Sequence, residues 1–131
     1  MKKKINVVGA VLTNNKKEIL CALRGPQMSM SNYWEFPGGK IEANEQPEEA
    51  LAREIKEELQ CEIQVGEKIK AVDYDYEKVS VHLITYWATI ANGTPMKSEH
   101  AELRWVPKAA LEKLEWAPAD IPTVKKLLGK I

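Results

Sequence analysis

At 131 residues the chain suits one compact domain spanning 1–131, long enough for a single hydrophobic core and short for two. Hydrophobic residues make up 44% and charged residues 29%, the balance of an ordinary soluble globular protein rather than a disordered or membrane chain. Lysine plus arginine equals aspartate plus glutamate at 19 each, which argues against binding a nucleic-acid polymer and leaves room for a single nucleotide.

The chain starts Met-Lys-Lys-Lys and turns apolar at Ile5. That apolar run is short, lacks a small-residue cleavage site and continues as a strand pattern, so a signal peptide is not expected. No stretch approaches the roughly 20 apolar residues of a membrane span, and a cytoplasmic location with no membrane partner is expected. Residues 5–12 read as a strand ending at the turn signal Thr13-Asn14-Asn15, and residues 19–23 as a second strand able to pair with it. Residues 25–32 form a loop rich in Gly, Pro, Ser and Met. Residues 33–36 are a short aromatic strand stopped by Pro37-Gly38-Gly39.

Residues 47–60 are the clearest helix. Pro47 suits a first turn, where its missing N–H costs nothing, and Glu48 and Glu49 favour the positive end of the helix dipole. Leu51, Ile55 and Leu59 recur every four residues with Ala52 beside them, which defines a core-facing stripe. Beyond it, 62–76 and 79–90 read as two long strands, Asn92-Gly93 as a turn, and 103–106 as a further strand. Residues 107–114 and 121–128 read as short helices. The order predicts an α+β fold in which a mixed β-sheet lies between helices, an α/β/α sandwich. Cys21 and Cys61 show neither a CxxC spacing nor a partner histidine motif, and are expected as reduced core thiols. His82, among apolar strand residues, is expected as a structural histidine rather than a ligand.

Chemistry concentrates in the helix at 47–60 and the loop before it. Glu54, Glu57 and Glu58 stand at i, i+3 and i+4, so their carboxylates share a face distinct from the leucine stripe. A hard divalent cation relieves their repulsion, and Mg²⁺ in particular binds through one or two carboxylates plus substrate phosphates. Gly38 and Gly39 precede the helix, where bare backbone can approach a phosphate or offer a carbonyl to the metal. Arg53 adjoins the acids and can fix the rotamer of one of them. Lys40 follows the glycines and is placed to meet phosphate, and Glu45 lies at the junction of loop and helix.

These residues resemble the Nudix signature: Gly, five residues, Glu, seven residues, Arg-Glu, an aliphatic residue, any residue, Glu-Glu, any residue, Gly, an aliphatic residue. Gly39, Glu45, Arg53, Glu54, Ile55, Glu57 and Glu58 all match at the required spacing. Gln60 stands in place of the second glycine and Cys61 in place of the last aliphatic residue. That glycine looks like a helix stop, so the departure bears on the local turn more than on the chemistry. The run Trp34-Glu35-Phe36-Pro37-Gly38-Gly39-Lys40-Ile41-Glu42 is similar to the MutT-like branch. The tail Trp116-Ala117-Pro118-Ala119-Asp120-Ile121-Pro122 looks like the subgroup that includes CTP pyrophosphohydrolases of the NudG type.

The resemblance implies the Nudix sandwich and hydrolysis of a nucleoside triphosphate to a monophosphate and pyrophosphate. It also implies a Mg²⁺ cofactor, or Mn²⁺ in its place; a monomer or homodimer is expected. Glu54, Glu57 and Glu58 would hold the cation with a carbonyl of Gly38 or Gly39. Glu99 would approach it from a later loop as general base, with Glu54 and Glu57 as rivals for that role. Arg24 would contact the triphosphate or base, and Trp34 or Tyr33 would border the base. Asp120 occupies the place where MutT proteins carry a base-reading asparagine. Ionised, it only accepts hydrogen bonds, which suits the N4 amine of cytosine, so CTP, dCTP and 5-methyl-dCTP are the expected substrates. Kept protonated by burial it would also donate, and 8-oxo-dGTP would return as a candidate. The alternatives are an ADP-ribose or dinucleoside-polyphosphate hydrolase, or a non-catalytic nucleotide-binding module of the same fold.

Overall fold

The computed structural model describes residues 2–129. The strands are β1 (Lys3–Thr13), β2 (Glu18–Leu23), β3 (Trp34–Glu35), β4 (Gly38–Lys40), β5 (Glu62–Asp75), β6 (Val79–Asn92) and β7 (Glu102–Pro107). Two α-helices, α1 (Pro47–Leu59) and α2 (Ile121–Leu127), and two 3₁₀ turns, Lys108–Lys113 and Pro118–Asp120, complete the chain. All seven strands join one mixed sheet in the order β3-β2-β1-β6-β5, with β4 also on β1 and β7 on β2. β1 and β6 run parallel from Lys3↔Val79 to Thr13↔Thr89, while β2, β4 and β7 make antiparallel contacts.

Side-chain alternation along the strands sorts the core onto two faces. Val8, Ala10 and Leu12 of β1 and Leu20 of β2 pack with Leu51, Ile55 and Leu59 of α1. Val11, Ile19 and Cys21 point the other way, toward Leu111, Trp116, Val124 and Leu127. The result is the sandwich expected from the element order. A buried hydrogen bond of 2.9 Å between Thr85 and Thr123 ties β6 to α2. Cys21 and Cys61 are free and buried, and burial pushes the Cys21 thiol up to about 12. His82 pairs with Asp73 at 2.8 Å on the surface.

Helix α1 begins and ends where its sequence dictates. The Gln46 N–H donates to Glu49 Oε1 at 3.0 Å, Pro47 opens the first turn, and Gln60 closes the last. Gln60 adopts the left-handed conformation at φ 59°, ψ 34° and donates its N–H to the Lys56 carbonyl. The helix therefore stops as a glycine would stop it, at the strain cost of a Cβ in that region.

Three local expectations differ from the structure. β4 replaces what reads as a plain stop, because Gly38 and Gly39 lie flat against β1 with Val8↔Gly39 and Gly9↔Gly38 paired. A methyl group at Gly38 would collide with the Val8 carbonyl oxygen, so only glycine permits this pairing. The aromatic strand shortens to Trp34–Glu35, and the stretch read as a helix at 107–114 is a 3₁₀ turn that buries only Leu111. One anchoring side chain is too little to propagate an α-helix past its costly first turn.

Candidate active site

The 3-residue β4 and the helix α1 meet at one end of the sheet and place the signature acids there. Arg53 organises them. Its Nε and Nη2 donate to the two oxygens of Glu45 at 2.6 and 3.0 Å, and Nη2 also reaches the Lys40 carbonyl at 3.0 Å. Its Nη1 donates to Glu54 Oε2 at 2.9 Å and to Glu57 Oε1 at 3.3 Å. This fork holds the Glu45 carboxyl below its usual range and Arg53 firmly protonated. The arginine thus fixes the 41–46 loop to the helix and leaves the second oxygens of Glu54 and Glu57 free of it.

Glu58 lies deeper. Burial, aided by the nearby charges of Glu35 and Glu54, raises its carboxyl from 4.5 to about 7, against the opposing field of His100 and a hydrogen bond from the Gly38 N–H. Among the described residues, the buried side-chain polar atoms with no hydrogen-bond partner are Glu58 Oε1 and His100 Nδ1. Glu54 rests directly over Gly39, where a methyl group would strike its carboxylate. Among the described residues no three Glu, Asp, His or Cys side chains form a ready-made cation cage, since Arg53 and the Gly38 N–H engage the acids. The donors nonetheless fit a hard divalent cation. They are carboxylate oxygens around an uncovered backbone turn, one of them buried and lacking any partner.

A cavity of about 550 Å³ opens beside this cluster, lined by Gly38, Gly39, Lys40 and Glu58. Its other walls include Arg24, Met28 and Met30, and an apolar floor of β1 and β6 residues such as Ile5 and Val81. Asp120 also lines it, is itself buried, and accepts a hydrogen bond from the Phe36 N–H. Desolvation, reinforced by the charge of Glu35, raises the Asp120 carboxyl well above its usual range. That shift favours the protonated form, which both donates and accepts, over the ionised acceptor expected from the sequence. Tyr76 closes the far wall, its hydroxyl accepting from the Ala119 N–H at 3.0 Å.

Arg24, Lys40, Gly38, Gly39, Glu58 and Asp120 thus converge on one cleft, with Glu54 at its rim and Glu57 exposed on the helix surface. Glu99 and Trp34 do not join them. Glu99 is exposed on the loop before β7, with its carbonyl packed against Gly25. Trp34 is buried and carries the Arg104 guanidinium over its ring at 4.8 Å. Sequence reasoning missed Glu35 and His100. Glu35 lines the cleft and pairs with Arg24 at 2.6 Å and with His100 at 2.8 Å. A polar residue between Trp34 and Phe36 on a strand must face away from both, which was the available signal for Glu35. No local pattern marks His100.

Among the described residues no helix is long and apolar enough to cross a membrane. The model of the NUDIX domain matches residues 3–127. The chain is 37% identical to the CTP pyrophosphohydrolase of Escherichia coli K12, over 97% of this chain and 93% of that protein. It is 30% identical to the 8-oxo-dGTP diphosphatase of the same organism, over 95% and 97% respectively. The solution structure of the MutT protein from methicillin-resistant Staphylococcus aureus 252 superposes with a TM-score of 0.80 at 45% identity and full coverage of both chains. That of the Escherichia coli ORF135 protein gives 0.83 at 33% identity, covering 98% of this chain and 91% of that one.

Proposed function

The chain belongs to the NUDIX family, as a hydrolase of nucleoside triphosphate phosphoanhydride bonds, and from that premise we propose that it favours cytidine-type triphosphates, converting CTP, dCTP or 5-methyl-dCTP with water to the monophosphate and pyrophosphate. The observation that carries this reading is Asp120, a buried carboxyl on the wall of the cavity that Glu58 also lines, where desolvation favours its protonated form. A neutral carboxyl donates from its O–H and accepts at its carbonyl. Cytosine offers the complementary pair, an acceptor at N3 beside the N4 amine donor. The E. coli CTP pyrophosphohydrolase at 37% identity supports the same choice.

Glu54, Glu57 and Glu58, with a carbonyl of Gly38 or Gly39, are the groups to hold Mg²⁺ or Mn²⁺, and Lys40 and Arg24 are the cations to meet the phosphates. When bound, such an ion offsets phosphate charge and polarises phosphorus toward attack by water. Arg53 keeps Glu54 and Glu57 oriented while Gly39 leaves the space that the Glu54 carboxylate needs. Burial raises the Glu58 carboxyl to about 7, so a cation bound there would displace its proton near neutral pH. Glu99, from its exposed loop, is the candidate general base, with Glu54 and Glu57 as rivals.

A second reading rests on the same buried carboxyl. The O6 acceptor and N7–H donor of 8-oxoguanine match its donor–acceptor pair too, and an 8-oxo-dGTP diphosphatase is among the relatives. Pyrophosphate release from CTP, dCTP, 5-methyl-dCTP and 8-oxo-dGTP, with and without Mg²⁺, separates the two. We expect the highest kcat/KM on a cytidine nucleotide and no turnover without the ion. Asp120→Asn, neutral with one donor and one acceptor, should keep that ranking, whereas Asp120→Ala should lower the best substrate by about 10–100-fold, the worth of a bidentate base contact. A tenfold advantage for 8-oxo-dGTP, or an unchanged profile in Asp120→Ala, overturns the cytidine assignment. Full activity in Glu57→Gln would remove that residue from the metal site.

A further inference from the structure

The loop after β2, residues 25–32, lines the cleft through Met28, Ser29 and Met30, and the loop before β7, residues 93–101, packs on it at Gly25. Gly25 packs so closely on the Glu99 carbonyl that a methyl group there would lie 2.6 Å from the oxygen. Each loop sends one cationic or imidazole side chain to the same carboxylate. Arg24 Nη1 donates to Glu35 Oε1 at 2.6 Å, and His100 Nε2 meets Glu35 Oε2 at 2.8 Å. The rest of the Arg24 guanidinium is held by its own loop, Nε on the Ser29 carbonyl at 2.5 Å and Nη2 on Ser29 Oγ at 3.1 Å.

We propose that His100 is a positioning residue for nucleotide binding: it locks the rotamer of Glu35, which in turn aims the Arg24 guanidinium and holds the 25–32 loop against the cleft. The inference rests on the reading of this cleft as the nucleotide site. Its geometric basis is that Glu35 has two oxygens and each is taken by a different loop. Without His100, the carboxylate keeps only Arg24 and is free to turn with it.

The imidazole is an expensive choice for a mere filler. Its side chain is wholly buried, and Nδ1 has no hydrogen-bond partner, so an apolar residue would avoid the desolvation penalty. What the imidazole supplies is one donor to a carboxylate that lines the substrate cavity. The neighbouring backbone is already fixed without it, through Ala101 N–H to the Leu23 carbonyl at 2.9 Å and Met96 N–H to the Leu59 carbonyl at 2.8 Å. The loop therefore has anchors of its own, and the His100 bond acts on Glu35.

The test compares His100→Ala, His100→Gln and His100→Asn. Glutamine places an amide nitrogen near the position of Nε2, while asparagine is too short to reach Glu35. We expect KM for the preferred nucleotide to rise about tenfold in the alanine and asparagine variants with kcat within about threefold, and glutamine to recover most of the loss. The KM penalties of His100→Ala and Arg24→Ala should not add, the double variant matching Arg24→Ala within about threefold. An independent readout is the Arg24 Nε–Hε resonance in ¹⁵N-correlated spectra without nucleotide, which should move in the asparagine and alanine variants and return in glutamine. Additive penalties, no rescue by glutamine, or an unmoved Arg24 resonance overturns the proposal. If alanine does not fold, the glutamine and asparagine pair carries the same comparisons. A wild-type protein inactive on every nucleoside triphosphate would sink the functional reading instead, and the resonance test would still decide the role of His100.

Discussion

Replacing Glu58 by glutamine should stabilise the fold while destroying the activity. Burial raises this carboxyl from 4.5 to about 7, so between those values the folded chain keeps a proton that the unfolded chain has released. Stability contributed here is therefore lost as pH rises through that window, and the loss is complete above it. At about 1.4 kcal/mol per pH unit the ionised carboxylate costs the fold up to about 3 kcal/mol near pH 8. The side chain also keeps its Gly38 N–H donor in the glutamine variant, because the amide oxygen accepts as the carboxylate does.

Thermal or urea melts of wild type and Glu58→Gln in EDTA, from about pH 4.5 to about pH 8.5, measure this directly. The two should coincide at the acid end and separate as pH rises, the variant melting up to about 10 °C higher at the alkaline end. Mg²⁺ should raise the wild type more than the variant and narrow the gap, since a ligand that binds only the folded state stabilises it. The variant's kcat should fall about 100-fold or more, for want of a charge that a neutral amide does not supply. A stability difference that is flat with pH, or a wild type more stable than the variant at pH 8, would refute the account of Glu58 as a carboxylate buried at a cost for the sake of the site.

The two glycines of β4 should fail in different ways. Gly38→Ala collides with the Val8 backbone and should lose more than about 3 kcal/mol of stability, seen as a lowered urea midpoint, whereas Gly39→Ala meets a movable side chain, Glu54, and should lose activity far more than stability. Equal losses of stability at both positions would contradict the cradle drawn here. Gln60→Gly should raise stability by about 0.5–1 kcal/mol with unchanged turnover, because it relieves a left-handed residue at φ 59°, and a lower melting temperature would be the contrary result.

Much of this fold is legible in the chain because its signals are local. The four-residue spacing of Leu51, Ile55 and Leu59 defines α1, and alternation along β1 and β2 assigns each apolar residue to its face. The glycine-and-glutamate spacing likewise locates the acidic edge of the site. β4 is illegible for the opposite reason: glycine has no strand preference, and Gly38-Gly39 becomes a strand only because missing Cβ atoms let it lie on Val8 and Gly9. Glu35 and His100 lie 65 residues apart, a separation that no periodicity spans.

The deepest gap concerns charge rather than position. Asp120 in Ala-Pro-Ala-Asp-Ile-Pro reads as an ionised acceptor, yet burial in the 3₁₀ turn at Pro118–Asp120 and the charge of Glu35 raise its carboxyl against the hydrogen bond from the Phe36 N–H. Glu35, Glu58 and Asp120 are among the carboxyl groups lining one cavity, and they differ by what surrounds them. Glu35 is ion-paired with Arg24, Glu58 has its carboxyl raised to about 7 and an orphaned oxygen, and Asp120 is buried with its carboxyl raised well above the usual range. One residue class thereby takes three electrostatic settings in the same cleft. The partners come from separate elements, Arg24 after β2 and His100 before β7 on Glu35, the Gly38 N–H on Glu58 and the Phe36 N–H on Asp120, while the charge of Glu35 raises both other carboxyls and couples the three.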